Sequence, residues 1–86
     1  MEEKIIDCSL IHTREDLHRL FRESLSFPDW YGNNLDALYD CLTELSGRIR
    51  ILDWETAEVL LGDYGKKAKK VIAAAALRNT GLDLYI

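Results

Sequence analysis

The sequence predicts an α/β fold, a three-stranded parallel sheet packed with four helices. Three short segments rich in β-branched and aliphatic residues, near residues 4–9, 48–53 and 82–86, alternate with longer segments that have helical spacing. Two helical segments lie between successive strands, and strands joined through helices pair in parallel with right-handed crossovers. The chain of 86 residues suits a single domain, residues 1–86.

The first strand and the first helix are predicted from local signals. Lys4–Ser9 contains closely spaced apolar and β-branched residues and is predicted to be a strand. Thr13 and Asp16 have the spacing of a capping box, with Asp in place of the usual Glu or Gln. A helix is therefore predicted over Arg14–Leu25, and its apolar face repeats at i, i+3, i+4 and i+8 through Leu17, Leu20, Phe21 and Leu25.

A loop over residues 26–33 leads to the second helix. Pro28 disfavours helical geometry there, and Gly32 and Asn33 tolerate positive φ. Asn34 is typical of a helix N-cap, so the second helix is predicted over Leu35–Leu45. Its apolar face contains Leu35, Leu38, Cys41, Leu42 and Leu45.

The second half of the chain repeats the order of strand, two helices and strand. Arg48–Asp53 is predicted to be a strand with isoleucines on one face. Glu55–Leu61 is predicted to be a short helix that ends at Gly62, and Lys66–Asn79 a longer one. Leu82–Ile86 alternates in the manner of a final strand.

Composition and charge narrow the classes of function. The formal net charge is −4, and no apolar run approaches the roughly 20 residues that a membrane span needs. The segment Met1–Asp7 has acidic residues where a secretory signal is basic, so we expect a cytoplasmic protein. We expect it to bind neither membranes nor nucleic acid. Cys8 and Cys41 belong to no CxxC pair and are expected to be reduced, buried thiols.

Acidic residues concentrate in one stretch that has no Lys or Arg between Arg22 and Arg48. In the predicted second helix Asp36, Asp40 and Glu44 recur at i, i+4 and form a stripe opposite the apolar face. Like charges at this spacing destabilise a helix by about 0.2–0.5 kcal/mol per pair. Such unrelieved repulsion favours an interface for a basic partner.

Aromatic residues accompany the acidic stripe. Trp30 and Tyr31 precede the second helix, and Tyr39 lies at the border of the stripe. Tyr and Trp beside charged residues are typical of binding hot spots. At least one of the three is expected to close the core under the loop instead.

Catalytic and metal-binding patterns are weak. The glycines form no GxGxxG or P-loop pattern, and His12 and His18 lack the spacing of an HExxH site and are interpreted as surface side chains. The lysines of the last predicted helix are interpreted as a solvated face. Asp36 and Asp40 would suit Mg²⁺, Ca²⁺ or acid–base chemistry only inside a cleft. We therefore predict no catalytic residue, no metal ligand and no cofactor.

The run Phe27–Thr43, FPDWYGNNLDALYDCLT, resembles the barstar family of intracellular inhibitors of barnase-type ribonucleases. The shared pattern is aromatic-Tyr-Gly-x-Asn-Leu-Asp-Ala-Leu-aromatic-Asp-Cys-Leu-Thr. Weaker similarity at Asp16–His18, at Asp53 with Trp54 and at Gly81 extends the resemblance over the whole chain. It implies a barstar-like fold with a three-stranded parallel sheet and four helices.

The resemblance also implies the mechanism and the site. The acidic helix and the loop before it would block the active site of a basic, secreted or toxin ribonuclease in a 1:1 complex. Asp40 would take the place of an RNA phosphate, and Asp36 would pair with a cation at the rim. The inhibitor is expected to be monomeric when free. The expected partner-binding residues are Trp30, Asn34, Asp36, Tyr39, Asp40, Thr43 and Glu44.

Departures from the family pattern keep alternatives open. Glu44 and Leu45 stand where the type member has Gly-Trp, and Ala73–Ala76 stand where the family carries an acidic interface residue. Trp30 and Tyr39 exchange the usual aromatic types. One alternative is a barstar-fold module that binds a different basic protein without inhibiting a ribonuclease. The other is a hydrolase or metal enzyme built on Asp36 and Asp40.

Overall fold

The computed structural model describes residues 3–86. Met1 and Glu2, which begin the segment that argues against a secretory signal, lie outside the described residues. The strands are β1 (Glu3–Asp7), β2 (Gly47–Leu52) and β3 (Leu82–Tyr85), and a short 3₁₀ helix (Cys8–Leu10) follows β1. The α-helices are α1 (Arg14–Leu25), α2 (Leu35–Thr43), α3 (Trp54–Leu61) and α4 (Asp63–Arg78). None of these helices is long and apolar enough to cross a bilayer.

The three strands form one parallel sheet in the order β1-β2-β3. This architecture confirms the predicted α/β fold. The face that carries Ile6, Ile49, Ile51 and Leu82 is buried under the helices, in the core formed with α1, α2 and α4.

The opposite face of the sheet is open to water, although parallel sheets are usually covered on both faces. Charged and aromatic side chains dominate it. Arg50 pairs with Glu3 at 3.4 Å, and the guanidinium of Arg48 lies 5.9 Å from the ring centroid of Tyr85. Arginine side chains carry apolar stems below charged heads that stay hydrated. This outer face is therefore compatible with water.

Helix α1 begins and ends as its sequence dictates. The Thr13 hydroxyl accepts a hydrogen bond from the Asp16 N–H at 3.1 Å, and the Asp16 carboxylate accepts one from the Thr13 N–H at 3.2 Å. The predicted capping box is thus confirmed. A backbone hydrogen bond from His12, followed by those from Thr13 and the charge of Arg19, lowers the pKa of Asp16. Ser26, in left-handed geometry, ends the helix.

The first strand and the second helix each end two residues before the prediction, because side chains replace the expected backbone pairing. Cys8 and Ser9 lie in the 3₁₀ helix and not in β1, since the Asp7 carboxylate accepts from the Ser9 N–H at 3.0 Å and turns the chain. Helix α2 ends at Thr43, two residues early. The Asn79 amide donates to the carbonyls of Leu42 and Leu45 at 3.0 and 2.6 Å and so satisfies the end of α2.

The start of α4 at Asp63, three residues before the predicted start, is the largest difference in a helix boundary. Only Gly62, with φ 61° and ψ −130°, separates α3 from α4. Gly65 lies inside the first turn of α4 and is buried. A Cβ at this position would lie 2.8 Å from the Glu58 Cα, so the glycine permits a close crossing of the two helices.

Replacing Gly65 by alanine is expected to destabilise the protein by about 1–2 kcal/mol. Overpacking a tight contact costs about 1–3 kcal/mol, and the better helix propensity of alanine offsets part of that. Urea unfolding followed by circular dichroism measures the change. Gly81→Ala is the matched control, because the nearest atom to its added Cβ is the Asn79 Oδ1 at 3.4 Å. Equal stability of the two variants would contradict the close crossing.

Candidate protein-binding site

The loop before α2 turns Trp30 outward and Tyr31 inward. The Tyr31 N–H donates to the Pro28 carbonyl at 3.0 Å and closes a tight turn. Tyr31 is only 4% exposed, and its ring centroid lies 4.9 Å from that of Phe27. Trp30 is 73% exposed. The expectation that one aromatic residue closes the core is thus confirmed for Tyr31, and Trp30 is left free for contact.

His18 ties this loop to two helices. Its Nδ1 lies 2.6 Å from the Tyr31 hydroxyl and its Nε2 lies 2.6 Å from the Tyr64 hydroxyl. The side chain is 2% exposed, so its interpretation as a surface histidine is wrong. Its hydroxyl partners are 13 and 46 residues away in the chain, so a local sequence pattern could not predict its role. Burial lowers the pKa of His18 below its ordinary value of 6.5.

The amino terminus of α2 is fixed by two asparagines. Of the two residues that tolerate positive φ, Asn33 adopts it and Gly32 does not. The Asn34 side chain accepts from the Ala37 N–H at 2.7 Å and donates to the Gly32 carbonyl at 3.3 Å. The predicted N-cap is confirmed. Asn34 is exposed as well, and its contact with a partner stays a prediction.

Helix α2 and the residue that follows it present three carboxylates to solvent. Leu38, Cys41 and Leu42 face the core, whereas Asp36 and Asp40 are exposed on the opposite side. Glu44 follows the last helical residue, is exposed, and donates its N–H to the carbonyls of Cys41 and Leu42. We call the exposed set Asp36, Asp40 and Glu44 the acidic stripe. The half-buried Thr43 donates its hydroxyl proton to the Asp40 carbonyl at 2.8 Å.

A groove of about 490 Å³ separates the acidic stripe from α4. We call it the α2–α4 groove. Helix α2 contributes Asp36, the half-buried Tyr39 and Asp40 to its lining, together with Leu35. Helix α4 contributes no carboxylate, in keeping with its alanine run, and is represented by Lys70, Val71 and Ala74. Lys70 therefore lines the same groove as part of the acidic stripe, although it forms no ion pair with the stripe among residues 3–86.

The two thiols are poor nucleophiles. Both are free and buried, as predicted. Burial, reinforced by Asp7 and Asp53, raises the pKa of Cys8 to about 12. Burial, reinforced by Glu44 and Asp40, raises the pKa of Cys41. Because the thiolate is the reactive form, both side chains serve as small apolar core residues. No group of three or more His, Cys, Asp or Glu side chains within residues 3–86 is placed to hold a metal ion.

The family model described as "Barstar (barnase inhibitor)" matches residues 1–85. The chain belongs to the barstar family. A relative from Bacillus subtilis (strain 168), named "Putative ribonuclease inhibitor YrdF", is 38% identical over 78 residues, which cover 87% of this chain and 86% of that protein. The family resemblance of the central run is thereby confirmed, and it extends to nearly the whole chain.

The roles of three residues around the candidate site escaped the sequence patterns. His18 holds the loop, Asn79 ends α2, and Lys70 faces the stripe across the α2–α4 groove. Each acts on residues far away in the chain. A histidine next to Leu17 on an otherwise apolar helix face is the one local signal that could have indicated burial.

Proposed function

We propose that this barstar-family protein inhibits a ribonuclease by occupying its active site with α2 and the loop before it. The family description and the name of the Bacillus subtilis relative both support a ribonuclease-inhibitor role and a ribonuclease partner. The observation that carries the proposal is the exposure of Asp36 and Asp40 on successive turns of one helix, together with an outward-facing Trp30 in the loop before it. The complex is 1:1, and the free inhibitor is a monomer that catalyses no reaction.

Electrostatics supplies the mechanism of inhibition. A ribonuclease binds the phosphates of RNA with cationic side chains, and a fixed carboxylate competes for the same cations. Asp40, at the middle of the acidic stripe, takes the place of the phosphate, and Asp36 pairs with a cation at the rim. Glu44 extends the negative field by about one turn. Opposite charges on the two proteins also accelerate their encounter.

Aromatic and polar side chains complete the contact surface. Trp30 supplies an exposed indole that loses its contact with water on binding, and Tyr39 supplies the edge of the α2–α4 groove. Aromatic groups of this kind contribute strongly to interface energetics. Asn34 and Thr43 already form hydrogen bonds within the inhibitor, which fix their side chains. Their remaining donors and acceptors can therefore bind the partner with little loss of side-chain entropy.

A second candidate function follows from the α4 side of the groove. Ala74, from the alanine run that stands where the family carries an acid, lines this groove together with Lys70 and Val71. That lining favours a partner less cationic at this point than barnase. The second candidate is therefore an interaction module of the same fold that binds another basic protein through the acidic stripe.

An inhibition assay over a panel of basic bacterial ribonucleases tests the proposal. At least one nuclease is expected to be inhibited with a 1:1 end point. Its association rate should fall as salt is raised from about 0.05 to about 0.5 M, because screening shortens the range of the charge attraction. No inhibition across the panel, with a pull-down that returns a basic protein without nuclease activity, would favour the interaction module instead.

A further inference from the structure

A second groove, of about 690 Å³, lies between α1 and α4 beside the start of α2. Cations from two helices line it, and we call it the cationic groove. Its cations are Arg14, Arg19, Arg22 and Lys67. Two acids, Glu15 and Asp36, also reach its lining, together with His18, Tyr64 and residues at the start of α2.

The cations of the groove differ in how far they are neutralised within the protein. Arg19 pairs with Asp16, and the guanidinium of Arg14 lies 4.4 Å from the ring centroid of Tyr64. Arg22 and Lys67 form no ion pair in the part of the chain that the structure describes, residues 3–86. These two charges therefore remain available to an external anion.

The cationic groove is continuous with the proposed binding site. Asn34, Leu35 and Asp36 line the groove, and Leu35 and Asp36 also line the α2–α4 groove. Positive and negative surfaces thus share a border at Asp36. A partner with a uniformly basic surface would gain attraction along the acidic stripe and meet repulsion from Arg22 and Lys67 at once.

We propose that the partner carries acidic side chains next to its cationic active site, and that these carboxylates lie in the cationic groove. This inference rests on the proposed function for the identity of the partner. The groove then fixes the rotation of the partner about α2, which a row of carboxylates alone leaves poorly defined. The groove also discriminates against nucleases that lack acidic side chains next to the active site, because a basic surface at that position would be repelled by the cations of the groove.

The first test uses a hexaglutamate peptide as the probe and nitrogen-15 NMR of the intact protein. Amide shifts are expected to concentrate at the groove, and Lys67→Gln should weaken binding about two- to fivefold, as is usual for one exposed charge pair. Lys66→Gln, on the same helix and outside the groove, is the matched control. Absence of binding, or the same loss for both variants, would overturn the proposal. So would groove shifts with adenosine monophosphate but none with hexaglutamate, because the site would then bind phosphate.

The second test uses a ribonuclease that the wild-type protein inhibits. Lys67→Glu should raise the inhibition constant by about fivefold or more, because a repulsive charge pair replaces an attractive one. Lys66→Glu should have a smaller effect. If Lys67→Glu inhibits as well as the wild type, the inference fails while the proposed function stands. If no nuclease is inhibited, the proposed function fails, and the peptide titration still decides whether the groove accepts carboxylates.

Discussion

Asp40→Ala is expected to weaken binding to the inhibited ribonuclease by about 2–5 kcal/mol, a range that rests in part on the barnase–barstar complex itself. In dissociation constant this is a loss between about 30-fold and several thousandfold. The loss is large because removal of the carboxylate leaves the phosphate-binding cations of the nuclease buried and unpaired. Isothermal titration calorimetry with an inhibition assay measures the change.

The controls separate binding from folding. Asp40 is exposed, and its removal relieves i, i+4 repulsion along the acidic stripe, so the thermal midpoint of the variant should equal or slightly exceed that of the wild type. Asp83→Ala, an exposed acid on the outer face of the sheet, should leave binding unchanged. Wild-type affinity of Asp40→Ala would rule out the phosphate-mimic mechanism.

The free energy of unfolding is expected to fall as the pH drops below about 6.5. Burial holds the pKa of His18 below its ordinary value of 6.5, and the charge of Glu15 opposes this only in part. Between the two pKa values the unfolded chain binds a proton that the folded chain does not. The free energy of unfolding therefore decreases as the pH decreases. The slope approaches about 1.4 kcal/mol per pH unit and levels off below the pKa of the folded state. Urea denaturation between about pH 5 and 8 measures it.

His18→Gln isolates the contribution of the buried imidazole. Glutamine does not titrate, so the pH dependence in this window should flatten. At neutral pH the variant should lose about 1–3 kcal/mol, since the Tyr31 and Tyr64 hydroxyls lose well-placed partners inside the protein. A profile as steep as that of the wild type would show that another group causes the change.

Local signals predicted the boundaries that depend on neighbouring residues. Helix α1 has the predicted limits because Thr13 and Asp16 cap it and its apolar face is regular. The end of α2 and the start of α4 were wrong for the opposite reason. The end of α2 depends on Asn79, which lies more than 30 residues away. The start of α4 depends on Gly65, which permits close helix packing although a glycine in a sequence is usually a sign of a loop. The period of a sequence does not encode such contacts.

The same division applies to the candidate site. The 3.6-residue period placed the acidic stripe on the exposed side of α2, and the structure shows Asp36 and Asp40 there. The two grooves could not be predicted, because each depends on which helix lies beside α2. The lysines of α4 were expected to form a solvated face, and they are exposed, yet Lys67 and Lys70 also line the two grooves that border α2.

The opposite orientations of Trp30 and Tyr31 have a consequence for how such an inhibitor can evolve. Tyr31 is bound into the interior through His18, so few substitutions there would keep the loop in place. Trp30 makes little contact with the core, and a change at this position costs the fold little. Under the proposed function, two adjacent residues therefore meet separate requirements, Tyr31 for the shape of the loop and Trp30 for recognition of the partner. Recognition can change by single steps along a lineage while the framework of the loop is inherited intact.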